Sequence, residues 1–264
     1  MSGRKAAMKR ARVLYQEQEL DITIDDQGQL LTADGQTLNE ADVTWLCPVK
    51  EPGTIFALGL NYADHVAELS FKEPPKEPLV FIKGSNTLTG HKQPCYRPDN
   101  VEFQHYECEL VAVIGKEGKN IKREEAMDYI AGYTVCNDFA IRDYLENYYR
   151  PNLRVKSRDG LCPIGPWVID KDDVKDVNNL RLITRVNGEV TQEGNTADMI
   201  FDIPFLVEYL SRIMTLKPGD MIATGTPEGV VDMQPGDVVE CEIEGVACLQ
   251  NTIVSEQAFY GDKY

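Results

Sequence analysis

"HYECELVAVIGK", residues 105–116, sets five consecutive apolar residues (110–114) behind two glutamates separated by one position. Side chains alternate faces along a strand, so His105, Glu107, Glu109, Val111 and Val113 share one side and Cys108, Leu110, Ala112 and Ile114 the other. Both faces turn apolar after Glu109, which predicts a strand buried on both sides within a layered, strand-rich fold. Two carboxylates aimed the same way at the mouth of such a strand need an explanation. About 6–7 Å apart along the strand, they repel when buried and must either protonate or share a cation. A solvated strand end is the competing reading.

The rest of the chain supports a β-rich α+β fold. Residues 11–45 hold short alternating segments broken by "DDQGQ" and "ADGQ", a small N-terminal β arm or subdomain over 1–50. "CPVKEPG" (47–53) reads as a linker into a catalytic domain over 51–264. "TIFALGL" and "LVFIKG" read as strands, with a short helix in "NYADHVAEL" capped by Asn61 and an extended loop over 70–78. "REEAMDYIAG" has helical spacing with Gly132 as its stop, and "YTVCND" is a strand ending at Asp138. "LRLITRVNGEVTQ" predicts a hairpin turning at Asn187 and Gly188. "DIPFLVEYLSRIMTL" predicts an amphipathic helix with Asp202 as N-cap and Phe205, Leu206, Tyr209, Leu210 and Ile213 on one stripe.

Composition narrows the function classes. In 264 residues, 42% are hydrophobic and 27% charged, as in an ordinary globular protein. A formal net charge of −16 argues against nucleic acid and anionic membrane as partners. The basic N-terminal stretch lacks the apolar core of a signal peptide, so a cytoplasmic location is expected. Seven scattered cysteines form no CxxC pair, which favours neither a disulfide framework nor a cysteine zinc site.

A third carboxylate strengthens the cation reading. Asp138 ends a strand one short connection after the glutamate strand, which places it beside Glu107 and Glu109; capping the following "DFAIRD" helix is its alternative role. Three carboxylates with open positions suit Mg²⁺ or Mn²⁺. Between Arg142 and Arg158 five Lys or Arg residues stand against two acidic ones, a local excess of +3 suited to a polycarboxylate, with surface ion pairs as the alternative. Lys156, among small and apolar neighbours, is the best candidate there, with a lowered pKa or as an oxyanion ligand. His65 and Glu68, at i and i+3, form either a carboxylate-oriented imidazole or a surface contact. "ATGTPEG" (223–229) offers backbone N–H groups, at Gly225 among others, and the Thr226 hydroxyl to a carboxylate, without a P-loop's GK[ST] element. His91 and His105 read as structural.

Taken in order, "GLNYADH", "HYECELVAVIG", "YTVCND…RD", "KSRDG" and "LKPGDMIATGTPEGV" resemble the fumarylacetoacetate hydrolase family over about residues 51–255. The resemblance implies a mixed β-sandwich roll of the family's C-terminal type, with Mg²⁺ or Mn²⁺ on Glu107, Glu109 and Asp138. It implies a lid dyad in His65 and Glu68, an active-site lysine in Lys156, and a substrate-carboxylate turn at Gly225 and Thr226. Arg142 and Arg154 are then expected to hold distal carboxylates. Within the family, the 137–160 segment is most similar to members that isomerise and decarboxylate 2-oxo (2-hydroxydienoic) di- and tricarboxylates of aromatic catabolism through a metal-stabilised enolate. Acylpyruvate hydrolase or oxaloacetate decarboxylase activity is the alternative, though Leu145 stands where acylpyruvate-cleaving members carry glutamine. A non-catalytic metal- or carboxylate-binding module is the remote one. Some members have two tandem halves; this chain resembles the C-terminal half, so a homodimer is the expected assembly.

Overall fold

The computed structural model describes residues 7–64, 75–145 and 153–261. Among these, twelve strands form one mixed sheet. Its main path runs Thr37–Leu38, Leu30–Thr32, Gln18–Ile24, Lys9–Tyr15, Cys162–Asp170, Ile130–Asn137, Cys108–Ile114, Met221–Ala223, Ile55–Gly59 and Leu79–Lys83. A second, five-stranded sheet runs Glu189–Asn195, Arg181–Val186, Val238–Ile243, Ala247–Ser255 and Pro94–Arg97. The two pack face to face over one apolar core, to which Leu110, Ala112, Ile114 and Val135 contribute from the first sheet and Leu182, Cys241, Ile243, Leu249 and Ile253 from the second. This is the mixed β-sandwich roll expected from the sequence.

The strand Cys108–Ile114 is buried at every position, because both its faces have apolar partners. Leu110, Ala112 and Ile114 enter the inter-sheet core. Val111 and Val113 enter a second cluster on the opposite face with Ile55, Ala57, Ile164 and Met221. Cys47 and Val49 close that second cluster, so the 47–53 stretch is packed against the sheet rather than spanning a gap. The N-terminal strands bury Ala11, Val13, Ile22, Ile24, Leu30, Leu38 and Trp45 among themselves. They continue the large sheet through antiparallel pairing of Lys9 with Ile169 and Arg10 with Val168.

The hairpin turns at Asn187 and Gly188, with φ of 52° and 83° and Val186 opposite Glu189, the two-residue geometry that needs positive φ at both positions. Ile203–Ile213 is helical, and Asp202 accepts the Phe205 N–H as its cap. Its buried stripe is Ile203, Leu206, Val207 and Leu210, whereas Ile213 is 65% exposed; the last turn runs past the edge of the core. The expected helix at residues 123–132 is a 3₁₀ segment, Arg123–Tyr129, and the chain is extended from Ile130 onward. Gly132 therefore stops no helix. A Cβ there would lie 2.1 Å from the Ile169 carbonyl oxygen, so glycine lets two strand backbones approach.

His91 is buried between the N-terminal strands and the second sheet, its ring edge-on to Trp45 and its Nδ1 accepting the Gln250 N–H at 3.0 Å. Burial, with the Lys92 charge beside it and against Glu40, pushes its pKa down to about 4. The folded state therefore keeps this ring neutral where the unfolded chain takes up a proton, and stability falls as pH falls from about 6.5 toward 4. About 2 kcal/mol of stability is expected to be lost between pH 7 and pH 5, and His91→Asn is expected to remove most of that slope. Urea denaturation at the two pH values measures it, and an unchanged slope in the variant would show that another group is responsible.

Candidate metal centre

Strand register brings the three carboxylates together. Cys108 pairs with Asn137 and Glu109 with Cys136 in antiparallel register, so Asp138, one residue beyond its strand, faces Glu107. Two further bonds clamp this corner: the Asp138 N–H donates to the Glu107 carbonyl at 2.9 Å, and the Glu107 N–H to Asn137 Oδ1 at 3.0 Å. One carboxylate oxygen from each of Glu107, Glu109 and Asp138 lies within 4.8 Å of the others. Glu109 and Asp138 are wholly buried, whereas the Glu107 side chain keeps 12% exposure, so the cluster opens on the Glu107 side.

The turn after Met221–Ala223 closes the cluster from the other side. Thr224 donates through its N–H and its hydroxyl to the Leu110 carbonyl, and the Gly225 N–H donates to Glu109 Oε2 at 2.9 Å. Gly225 has φ +91°, and a Cβ there would sit 3.0 Å from Asn61 Cβ, which favours glycine on both counts. Gly225→Ala is expected to cost on the order of 2 kcal/mol in urea denaturation and to misdirect the Glu109 contact. The Asn61 side chain donates to Phe201 O and Thr224 O and accepts the Phe201 N–H, binding this turn to the loop before the long helix; most of the helix it was expected to cap lies outside the described residues. Thr226 is buried, its hydroxyl accepting from Gln192 Nε2 at 3.0 Å. Gln192 also donates to Pro227 O and accepts from Thr184, holding the turn against the second sheet.

Two lysines meet the carboxylates. Lys156, at the end of the short helix Leu153–Lys156, donates to Glu107 Oε2 at 2.6 Å and to Asp138 Oδ2 and O, each at 2.9 Å. Lys83, at the end of Leu79–Lys83, donates to Asp138 Oδ1 at 2.6 Å and to the Lys156 carbonyl oxygen; its side chain is wholly buried. Burial disfavours both ammonium groups, but Asp138, joined at Lys156 by Glu107 and Glu109, outweighs it and raises both pKa values. The lowered pKa considered for Lys156 is thus replaced by a raised one, because the charges around it are anionic. Glu109 moves the other way for a carboxylate: burial, then the charges of Asp138 and Glu107, hold it well above its ordinary value.

An all-oxygen, three-carboxylate donor set is chemically suited to a hard divalent cation. Glu109 supplies an independent sign of fit, since its buried Oε1 has no hydrogen-bond partner among the described residues. Lys83 was not legible as a site residue. Its only sequence signal was a lysine on the same face as Leu79 and Phe81 at the end of an otherwise apolar strand. Of the other candidates, Arg142 is half-buried beside a cavity of about 410 Å³ shared with Glu102, Phe103 and Asp143. Arg154 is exposed with its guanidinium 3.7 Å from the centre of the Tyr144 ring. His65 and Glu68, and most of the 70–78 loop, lie outside the described residues.

Residues 54–254 match the family model described as fumarylacetoacetate (FAA) hydrolase C-terminal. The chain belongs to the fumarylacetoacetate hydrolase family. It is similar to the 4-hydroxyphenylacetate degradation bifunctional isomerase/decarboxylase of Salmonella dublin, with 63% identity over 86% of this chain and 52% of that protein. The chain spans about half the length of this and two further curated relatives. Among solved structures it is similar to 5-carboxymethyl-2-hydroxymuconate delta-isomerase from Mycobacterium smegmatis, at TM-score 0.83 and 34% identity, covering 94% of this chain and 99% of that one. It is also similar to maleylpyruvate hydrolase from Sphingobium sp. SYK-6 in complex with manganese(II) and pyruvate, at TM-score 0.72 and 32% identity, covering 84% and 78%. No helix among the described residues is long and apolar enough to cross a membrane.

Proposed function

We propose that this chain is a divalent-metal-dependent isomerase/decarboxylase of 2-oxo (2-hydroxydienoic) di- and tricarboxylates in aromatic catabolism, acting as a cytoplasmic homodimer. The 63% identity to a bifunctional isomerase/decarboxylase carries this assignment. The buried carboxylate cluster supports its metal dependence, and the manganese–pyruvate complex of a 32% identical structure supports the ligand class.

Glu107, Glu109 and Asp138 would hold Mg²⁺ or Mn²⁺. When bound, such an ion supplies a Lewis acid for the keto and carboxylate oxygens of a 2-oxo acid. The chain's own groups do the remainder. The Gly225 N–H fixes Glu109, and Gln192 fixes the Thr226 hydroxyl in the turn assigned to the substrate carboxylate. The Lys156 ammonium, donating at the edge of the cluster, is suited to hold an oxyanion. Proton movement is assigned to His65 oriented by Glu68, and the distal carboxylates to Arg142 and Arg154. Isomerisation and decarboxylation share the need to stabilise negative charge at one position, so one set of groups serves both.

Ultraviolet turnover of 5-carboxymethyl-2-oxo-hex-3-ene-1,7-dioate with Mg²⁺, with Mn²⁺ and with EDTA tests this. Metal-dependent loss of the conjugated absorbance with release of CO₂ is expected. Silence there with cleavage of acetylpyruvate or oxaloacetate would move the chain to the hydrolase or oxaloacetate decarboxylase reading and keep the metal.

A further inference from the structure

The two lysines at the cluster are placed differently, and the difference bears on how a metal enters. Lys83 meets Asp138 on Oδ1, whereas Lys156 meets it on Oδ2. Lys156 sits on Glu107 Oε2 and Asp138 Oδ2 together, bridging two of the three carboxylates that would ligate an ion. Mg²⁺ binds oxygen ligands at about 2.0–2.1 Å, and an ammonium 2.6 and 2.9 Å from oxygens of two of the same carboxylates competes with the ion for their negative charge and repels it.

We propose that Lys156 is an exchangeable internal cation, which in the metal-free protein bridges Glu107 and Asp138 and is displaced from them when a divalent ion binds. This rests on the metal-site assignment above. The local structure separates the part that moves from the part that stays. Lys83 is wholly buried in the sheet and holds the Lys156 carbonyl oxygen, so the backbone of Lys156 is anchored, and displacement falls to its four-carbon side chain. That side chain is 7% exposed, and the Glu107 side chain it meets is 12% exposed. Counted as ionised, three carboxylates and two ammonium groups carry a net of −1 with Lys156 in place; a divalent ion in its stead brings the carboxylates, Lys83 and the ion to zero and leaves the Lys156 charge unspent beside them. The displaced ammonium is then available to an anionic substrate. Metal binding and oxyanion recognition are thereby coupled in one side chain.

Mn²⁺ affinity of the full chain, read by the electron paramagnetic resonance signal of free Mn²⁺ and by calorimetry, tests this without any turnover. Lys156→Met is expected to bind Mn²⁺ at least 10-fold more tightly than the parent, and Lys156→Arg, which keeps the charge, no more tightly than the parent. If Lys156→Met fails to fold, Lys156→Gln makes the same comparison. Chemical acetylation of the unsubstituted protein, read by mass spectrometry, is expected to increase at Lys156 on adding Mn²⁺ while Lys83 stays unmodified. Parent and Lys156→Met binding Mn²⁺ equally, or Mn²⁺ protecting Lys156, would overturn the exchange and leave the metal site standing. No Mn²⁺ binding by either protein would remove the metal assignment itself.

Discussion

Glu109→Ala is expected to lower kcat/KM by about 10³-fold and to abolish saturable Mn²⁺ binding in the micromolar range. Glu109 is wholly buried, with one oxygen on the Gly225 N–H and the other without a partner among the described residues. On the metal assignment proposed above, losing it removes one of three carboxylate ligands and, with it, several kcal/mol of charge stabilisation, each 1.36 kcal/mol being worth a factor of ten. Calorimetric titration with Mn²⁺ alongside steady-state rates measures both effects. A variant with full turnover in EDTA would end the metal assignment.

The second large effect is expected at Lys83, the residue that sequence patterning passed over. Lys83→Met leaves Asp138 Oδ1 buried without its 2.6 Å cation partner, and breaking a buried pair from one side typically costs about 3–5 kcal/mol. For a domain of this size the midpoint of thermal unfolding is expected to fall by roughly 10 °C. The same substitution frees Asp138 to rotate and releases the Lys156 backbone, so kcat is expected to fall as well. A midpoint within 2 °C of the parent, measured by differential scanning calorimetry, would mean that the Lys83–Asp138 pair contributes nothing net.

Particular elements show how far the chain could be read without coordinates. The Cys108–Ile114 strand, the Asn187–Gly188 turn and the Asp202-capped helix follow from local rules: alternation with apolar runs, positive φ at two turn positions, and a carboxylate ahead of the first helical turn. The 123–132 segment failed by the same kind of rule. Its helical spacing competed with strand pairing at Gly132, where the demand for close backbone approach to Ile169 prevailed. Ile213 failed because a helix pattern says which residues share a face but not where the neighbouring core ends. At the site, Glu107, Glu109 and Asp138 were legible because like charges beside apolar strands are costly enough to stand out. Gln192 and Asn61 were not, since a polar residue in a loop or an outer strand is unremarkable until its partner is known.

By itself the sequence determined that Glu107, Glu109 and Asp138 lie at or just beyond the ends of buried strands, because burial, periodicity and charge are local properties. Only the tertiary structure decided that Asp138 stands opposite Glu107, that Gly225 points its N–H at Glu109, and that two lysines from separate segments meet one aspartate. Those facts depend on strand register and on contacts between residues 55 and 116 positions apart. No local pattern encodes such contacts; they arise from packing two sheets over a common core.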